Sequence, residues 1–284
     1  MEPSASPVWI TGAGGLIGSH LARLAGQILP GRPVVPLRHS DLELEDSAAV
    51  AARFGRERPG LVLHCAALSR SPACQSDPAM ARRLNVEVTR TLAGLSPEPL
   101  LVFFSTDLVF DGKPNGGYRE DDPPHPLMIY AGTKLEAEAV VRRHPHHLII
   151  RTSLNAGPSP AGNRGFDEDL RNAWRAGRTV ALFQDEIRSP IAAAETARAV
   201  LELARAGARG TVHVAGSERL SRYDLGALLA ARHPELSPRI EKTWVREFRG
   251  APRPTDISLD VSLAERLLGH PLPRFSDWLA SQPG

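Results

Sequence analysis

Val8-Trp9-Ile10-Thr11-Gly12-Ala13-Gly14-Gly15-Leu16-Ile17-Gly18 decides the fold of this chain. A short apolar run leads into three glycines spaced Gly-x-x-Gly-x-x-Gly. Apolar residues then recur at helical spacing through Leu21, Leu24, Ala25 and Ile28. Glycines between a strand and a helix permit a tight turn and a close backbone approach to a pyrophosphate, which then meets the free N–H groups of the helix start. The spacing predicts a dinucleotide cradle at Gly12, Gly15, Leu16, Ile17 and Gly18.

Downstream, short apolar runs alternate with helical patterns. Strands are expected at Val34–Leu37, Leu61–Cys65, Leu100–Phe104 and Leu148–Ile150, with helices over Met80–Ala93 and about Met128–Arg143. Strands that are apolar on both faces and separated by helices imply a parallel sheet covered on both sides. The fold class is therefore α/β, a Rossmann-type doubly wound sheet. After Thr152 the texture changes, and the stretch 155–165 is rich in Gly, Pro, Ser and Asn. Further helices are expected near 167–176, 195–206, 221–231 and 262–268, and strands near 179–183 and 211–214. The organisation read from this is a nucleotide-binding domain over 6–152 plus about 186–206, and a smaller mixed α/β lobe over about 153–185 and 207–284.

The 284 residues carry 42% hydrophobic and 23% charged side chains with a net charge of +2. These values exclude a disordered or fibrous chain and give no footing for nucleic acid or an anionic membrane. The start, Met1 to Pro7, lacks a signal-peptide pattern, so a cytoplasmic protein is expected. Cys65 and Cys74 form no disulfide or zinc pattern; Cys65 reads as a buried small residue and Cys74 as a loop residue. His144-Pro145-His146-His147 reads as a solvated helix end, and no residue cluster demands a metal. His64 reads as a hydrogen-bonded strand-end histidine.

Two segments carry the chemistry: Ser105-Thr106-Asp107-Leu108-Val109-Phe110-Asp111-Gly112 and Tyr130-Ala131-Gly132-Thr133-Lys134. Tyr130 and Lys134, four residues apart, share one helix face. Thr106 follows an apolar run, at a strand's C-terminal end, where open α/β sheets bind ligands. From the glycine spacing onward the chain resembles the extended short-chain dehydrogenase/reductases. That likeness makes Tyr130 the proton donor to a carbonyl oxygen, Lys134 the cation that favours phenolate and holds the nicotinamide ribose, and Thr106 the group that orients the substrate oxygen. Asn85 resembles the family's helix-four asparagine, which supports a water near the lysine. His64-Cys65-Ala66-Ala67 resembles its turn beside the cofactor, and Ser105 falls on the cofactor side.

Within that family the chain is similar to the dTDP-4-dehydrorhamnose reductases. The resemblance rests on the Ser105–Gly112 segment, Leu42–Asp46, Ile150–Ser153 and Arg253–Asp260, in order. It implies reduction of a nucleotide-linked 4-keto-6-deoxy sugar, with Thr106, Asp107, Val109 and Phe110 near the sugar and Arg188 and Arg253 facing a diphosphate. Arg38 at the end of the second strand suits the 2′-phosphate of NADPH, with NADH the other option. Leu108 stands where the reductases have Tyr. Asp185-Glu186-Ile187-Arg188-Ser189-Pro190 departs from their Asp-Gln-x-Gly-x-Pro and is closer to the methionine adenosyltransferase β subunit. A regulatory NADP-binding subunit and another extended reductase or epimerase therefore remain as alternatives, and a homodimer is compatible with the likeness.

Overall fold

The computed structural model describes residues 6–282. The expectation of no signal-peptide pattern concerns Met1 to Pro7, of which Met1 to Ala5 lie outside the described residues. Six parallel strands form the central sheet: β1 (Val8–Thr11), β2 (Val34–Leu37), β3 (Leu61–His64), β4 (Leu100–Thr106), β5 (His147–Thr152) and β6 (Gly210–Val214). Their spatial order is β6-β5-β4-β3-β1-β2. Chain order reverses between β1 and β3, where Thr11 pairs with both Leu37 and His64. Such a switch point opens a crevice at the strands' C-terminal ends, the usual ligand position in doubly wound sheets.

Side-chain alternation splits the core in two. Val8, Ile10, Leu63, Val102 and Ile150 face α1 (Leu16–Ile28), with Ala197, Val200 and Leu201 of a helix at Ala193–Arg205. That helix, expected from the sequence to return to the sheet, does so. Trp9, Val62, Phe103 and Ile149 face the other way, among Val50, Phe54, Val88, Leu92 and Val141. Both faces are dry, which is why the strands read as unbroken apolar runs. Phe166, Leu170, Trp174, Leu182, Leu225, Leu229, Phe275 and Leu279 build a separate cluster from the later part of the chain.

Several elements were not anticipated. A helix at Ser47–Glu57, α2, is capped by Asp46, whose Oδ1 accepts from the Ala49 N–H at 2.9 Å. A short helix α3 covers Ser71–Ser76. The helix expected over Met80–Ala93 is interrupted: Pro78–Arg82 and Val88–Gly94 are α-helical, and Arg83–Glu87 between them widens into a π-turn. Strand Ile240–Thr243 pairs in parallel with Val180–Phe183, and a final helix covers Phe275–Ser281. The helix expected near 221–231 starts at a capping box: Ser221 Oγ accepts from Asp224 N–H and Asp224 Oδ2 from Ser221 N–H.

Three local readings are corrected. Cys74 is a buried helical residue whose Sγ contacts Leu68 O, not a loop residue. Cys65 is half-exposed, because it lies just past the end of β3. His144 is buried rather than solvated; its ring nitrogens meet the carbonyls of Ser96 and His146.

The helix that carries the candidate catalytic pair, Ile129–Val141, is held by a buried carboxylate. Glu138 Oε1 accepts from Arg151 Nε (3.0 Å) and Ser105 Oγ (2.6 Å), and Oε2 from Arg151 Nη2 (2.9 Å) and Arg142 Nη2 (2.8 Å). Glu138 and Arg151 are both essentially inaccessible to solvent. Removing one partner of a buried, hydrogen-bonded ion pair leaves a charge that nothing neutralises. Arg151→Met is expected to lower unfolding free energy in urea by about 3–5 kcal/mol; a change within experimental error overturns this assignment.

Candidate active site

The glycine turn has no spare volume. Gly12 has φ +68°, and a Cβ there would lie 2.7 Å from Ala66 N; a Cβ on Gly18 would lie 2.3 Å from the Gly12 carbonyl oxygen. The first contact seats the turn against the Cys65–Ala67 segment, and the second folds α1 back onto it. Gly15 caps α1 without a side-chain acceptor, and no acidic residue stands in the first turn. A long amphipathic helix thus presents uncapped N–H groups at the crevice, the arrangement that receives phosphate. The Ala13 N–H bonds Leu37 O at 3.3 Å, which places Arg38 beside the turn. Arg38 is exposed, and Asp41, the nearest acid, accepts the Arg38 backbone N–H at 2.9 Å.

Under the turn runs a buried polar chain. Thr89 Oγ1 donates to Asn85 O at 2.7 Å and so must accept from His64 Nε2, at 3.0 Å. That leaves His64 Nδ1 to accept from Thr11 Oγ1 at 2.7 Å, and Thr11 Oγ1 accepts the Ala66 N–H at 3.3 Å. Burial, then the nearby Lys134 charge, lowers His64 to about 3, so it stays neutral. The expected strand-end histidine is what the structure contains. Asn85 lies in the π-turn. Its Oδ1 accepts Leu68 N–H at 2.8 Å, and its Nδ2 donates to Leu68 O and to Thr133 Oγ1. Thr133 in turn donates to Tyr130 O. Asn85 therefore ties the segment after β3 to the helix bearing Tyr130, and both of its amide hydrogens are used in doing so.

On that helix Tyr130, Lys134 and Glu138 form one stripe. Lys134 is buried, with Nζ 3.9 Å from the Phe103 ring centroid. Burial lowers it to about 7, against smaller opposite effects from Cys65 and Glu138. Tyr130 is half-buried, and no side chain among the described residues bonds its hydroxyl. Burial raises its pKa, the Asp107 carboxylate and Cys74 raise it further, and Arg188 opposes them. Burial and then Asp107 are the largest influences on this phenol.

At the end of β4 the Ser105 hydroxyl is committed to Glu138 and the Thr106 hydroxyl donates to Asp107 Oδ1 at 3.1 Å. Asp107 Oδ2 accepts from Ser153 Oγ (2.5 Å) and Arg188 Nε (2.7 Å), and Oδ1 also accepts from Arg188 Nη2. Four donors saturate the carboxylate, so Asp107 has no free lone pair direction for a sugar hydroxyl. Val109 and Phe110 do not reach the crevice at all. The short 3-10 turn Asp107–Val109 rotates the chain, and both side chains enter the core, Phe110 stacked 4.1 Å from Tyr118. Arg188 is buried on Asp107 rather than open to a diphosphate.

A model of the RmlD substrate binding domain matches residues 6–282. The chain belongs to the RmlD substrate-binding family. A probable low-salt glycan biosynthesis reductase, Agl14, of Haloferax volcanii is 32% identical over 96% of both chains. A dTDP-4-dehydrorhamnose reductase of Mycobacterium tuberculosis is 34% identical over 75% of this chain and 71% of its own. The crystal structure of a hypothetical dTDP-4-dehydrorhamnose reductase from Sulfolobus tokodaii superposes with a TM-score of 0.82 at 32% identity, covering 93% of this chain and 95% of the other.

In this RmlD-family chain the arginines form a trio that sequence reading recovered only in part. Arg253 Nη1 donates to Glu186 Oε2 at 3.0 Å, and its guanidinium lies over Phe248 and Phe183. Arg188 Nη1 lies 3.6 Å from Glu186 Oε1. Arg222, over the Phe166 ring, is the third, with its backbone N–H on Glu186 O. No motif flags Arg222; only folding brings it to Glu186.

Two outcomes follow from this geometry. Gly18→Ala is expected to weaken dinucleotide binding at least tenfold and to cost about 1–3 kcal/mol of stability, measured by cofactor titration and urea unfolding. Lys134 holds fewer protons folded than unfolded between about 7 and the ordinary lysine value of 10.5, so its contribution makes stability rise with pH across that window. Lys134→Met removes that slope and is expected to stabilise the fold more near about pH 6 than near about pH 10, read by urea unfolding at both values.

Proposed function

We propose that this chain is an NADPH-dependent reductase of a nucleotide-linked 4-keto-6-deoxy sugar. The observation that carries the reading is the convergence, at the C-terminal edge of the sheet, of an uncapped glycine cradle, the Lys134 amine and a Tyr130 hydroxyl with no side-chain partner among the described residues. The names of the relatives above point the same way. The cradle residues fit a dinucleotide, since every Cβ that would block the turn is missing. When bound, its nicotinamide supplies hydride to the ketone carbon.

The chain's own groups handle the proton. Tyr130 donates its phenolic hydrogen to the ketone oxygen and is left as phenolate. The Lys134 ammonium, on the same helix face, offsets that charge. The Thr106 hydroxyl orients the substrate oxygen once its donor turns from Asp107, and the half-exposed turn at Cys65, Ala66 and Ala67 borders the cofactor. Arg253 and Arg222 meet the anionic part of the substrate, because a guanidinium matches phosphate oxygens. Arg38, exposed beside the turn, meets the 2′-phosphate. The substrate sits between the nucleotide-binding portion, 6–152 with 186–206, and the remainder of the chain.

The test follows nicotinamide absorbance with purified protein, NADPH and dTDP-4-dehydrorhamnose. Turnover is expected, with Tyr130→Phe slowing it about 10²–10⁴-fold while NADPH still binds. Unimpaired NADPH binding without turnover on this or related keto sugars sinks the enzyme reading in favour of a regulatory one. Arg38→Ala is expected to weaken NADPH about 10–100-fold, the size of one charge-assisted contact, and to leave NADH unchanged; equal loss for both cofactors overturns Arg38's role.

A further inference from the structure

Asp107 and Arg188 come from distant parts of the chain, one at the end of β4 and the other in the short strand Ile187–Arg188. They meet beside Tyr130. Arg188, with 5% exposure, grips both Asp107 oxygens; Ser153 and Thr106 take the remaining acceptor positions. Ser153 Oγ also accepts the Ser189 N–H at 3.2 Å, so the lock is closed from both sides. A fork of two parallel N–H donors fixes a carboxylate in plane and position as a single ammonium cannot.

Proton donation leaves a phenolate where a phenol stood. A bare carboxylate at Asp107 would repel that phenolate in a poorly solvated site. The other titratable or charged groups facing Tyr130 are Cys74 on α3, Arg188 itself, and Lys134 one helical turn along its own helix. Arg188 is the group that both counters the Asp107 charge and prevents the carboxylate from turning toward substrate.

We infer that Arg188 is a positioning residue for the proton step: by saturating Asp107 it neutralises and immobilises the carboxylate beside Tyr130, and so allows the phenolate to form. The kinetic arm of the test rests on the reductase reading; the spectroscopic arm does not. The direction of each effect is supported by the opposed influences of Asp107 and Arg188 on the phenol.

In reduction, the rate falls on the alkaline side where Tyr130 loses its proton. Arg188→Gln is expected to lower kcat at least tenfold and to move that alkaline limb to higher pH. Arg188→Lys keeps the charge but not the fork: kcat falls while the limb stays at its wild-type position. Arg188→Gln combined with Asp107→Asn brings the limb back to or below the wild-type position. Identical limbs in Arg188→Gln and wild type, or a shift to lower pH in the single variant, overturn the inference. The activity-free measurement is ultraviolet tyrosinate titration. The chain has three tyrosines, and subtracting the matching Tyr130→Phe protein isolates Tyr130. Asp107→Asn is expected to bring the Tyr130 signal to lower pH than wild type. That result supports the inference even if the wild type reduces no keto sugar, and an unmoved or raised onset overturns it.

Discussion

The buried Glu138 carboxylate is the constraint on which the site depends. An ionised group without water is very costly unless every acceptor position is filled. Here a strand residue (Ser105), a residue of the next strand (Arg151) and a neighbour on the same helix (Arg142) fill them. The geometry tolerates little movement, so the helix Ile129–Val141 can seat on β4 and β5 in essentially one way. Tyr130 and Lys134 lie on the same stripe, two turns and one turn before Glu138. The carboxylate that anchors the helix thereby sets where the phenol and ammonium stand relative to Thr106, two strand ends away from the glycine turn.

Asp107 repeats the device on the other side of Tyr130. Both carboxylates are inaccessible, each has four donors, and each is gripped by an arginine fork. Between these closed clusters, Lys134 and Tyr130 are the groups left without a hydrogen-bonded partner among the described residues. Burial raises the Tyr130 phenol and lowers the Lys134 ammonium, and no hydrogen bond from a neighbour opposes either effect. Stability is thus supplied by saturated neighbours, and reactivity is kept in the two groups that the neighbours frame.

The sheet, the glycine turn and the helix stripe were legible because each is a local pattern: period-two or unbroken apolar runs, a glycine spacing, a four-residue interval. The departures share a physical cause. The family resemblance implies Val109 and Phe110 near the sugar, but a single 3-10 turn after β4 rotates consecutive side chains into different compartments. Helix α2 has a clear apolar face through Val50 and Phe54, but the Asp46 that caps it falls in the Leu42–Asp46 segment that the family resemblance takes up for another role. The π-turn at Arg83–Glu87 leaves no trace in spacing, although it is what brings the Asn85 amide to both Leu68 and Thr133. Glu138, Ser153 and Arg222 are ordinary polar residues in sequence; their roles exist only once distant strands converge.

The same reasoning limits what the substrate side can read. Asp107, in the most family-like segment of the chain, is closed by Arg188, and Leu108 beside it packs against the core instead of offering a phenol. Two positions that would present polar groups to a sugar are therefore silent. Charge shifts outward to Arg222 and Arg253 around Glu186. Burial and the neighbouring guanidinium groups lower Arg222, with Glu186 the main group acting against them. The Glu186 carboxylate already serves both Arg188 and Arg253, and no side chain among the described residues forms an ion pair with the Arg222 guanidinium. In the proposed reductase, an anionic group at Arg222 and Arg253 would therefore anchor the substrate, while the closed Asp107 and the apolar Leu108 leave the sugar ring fewer polar contacts.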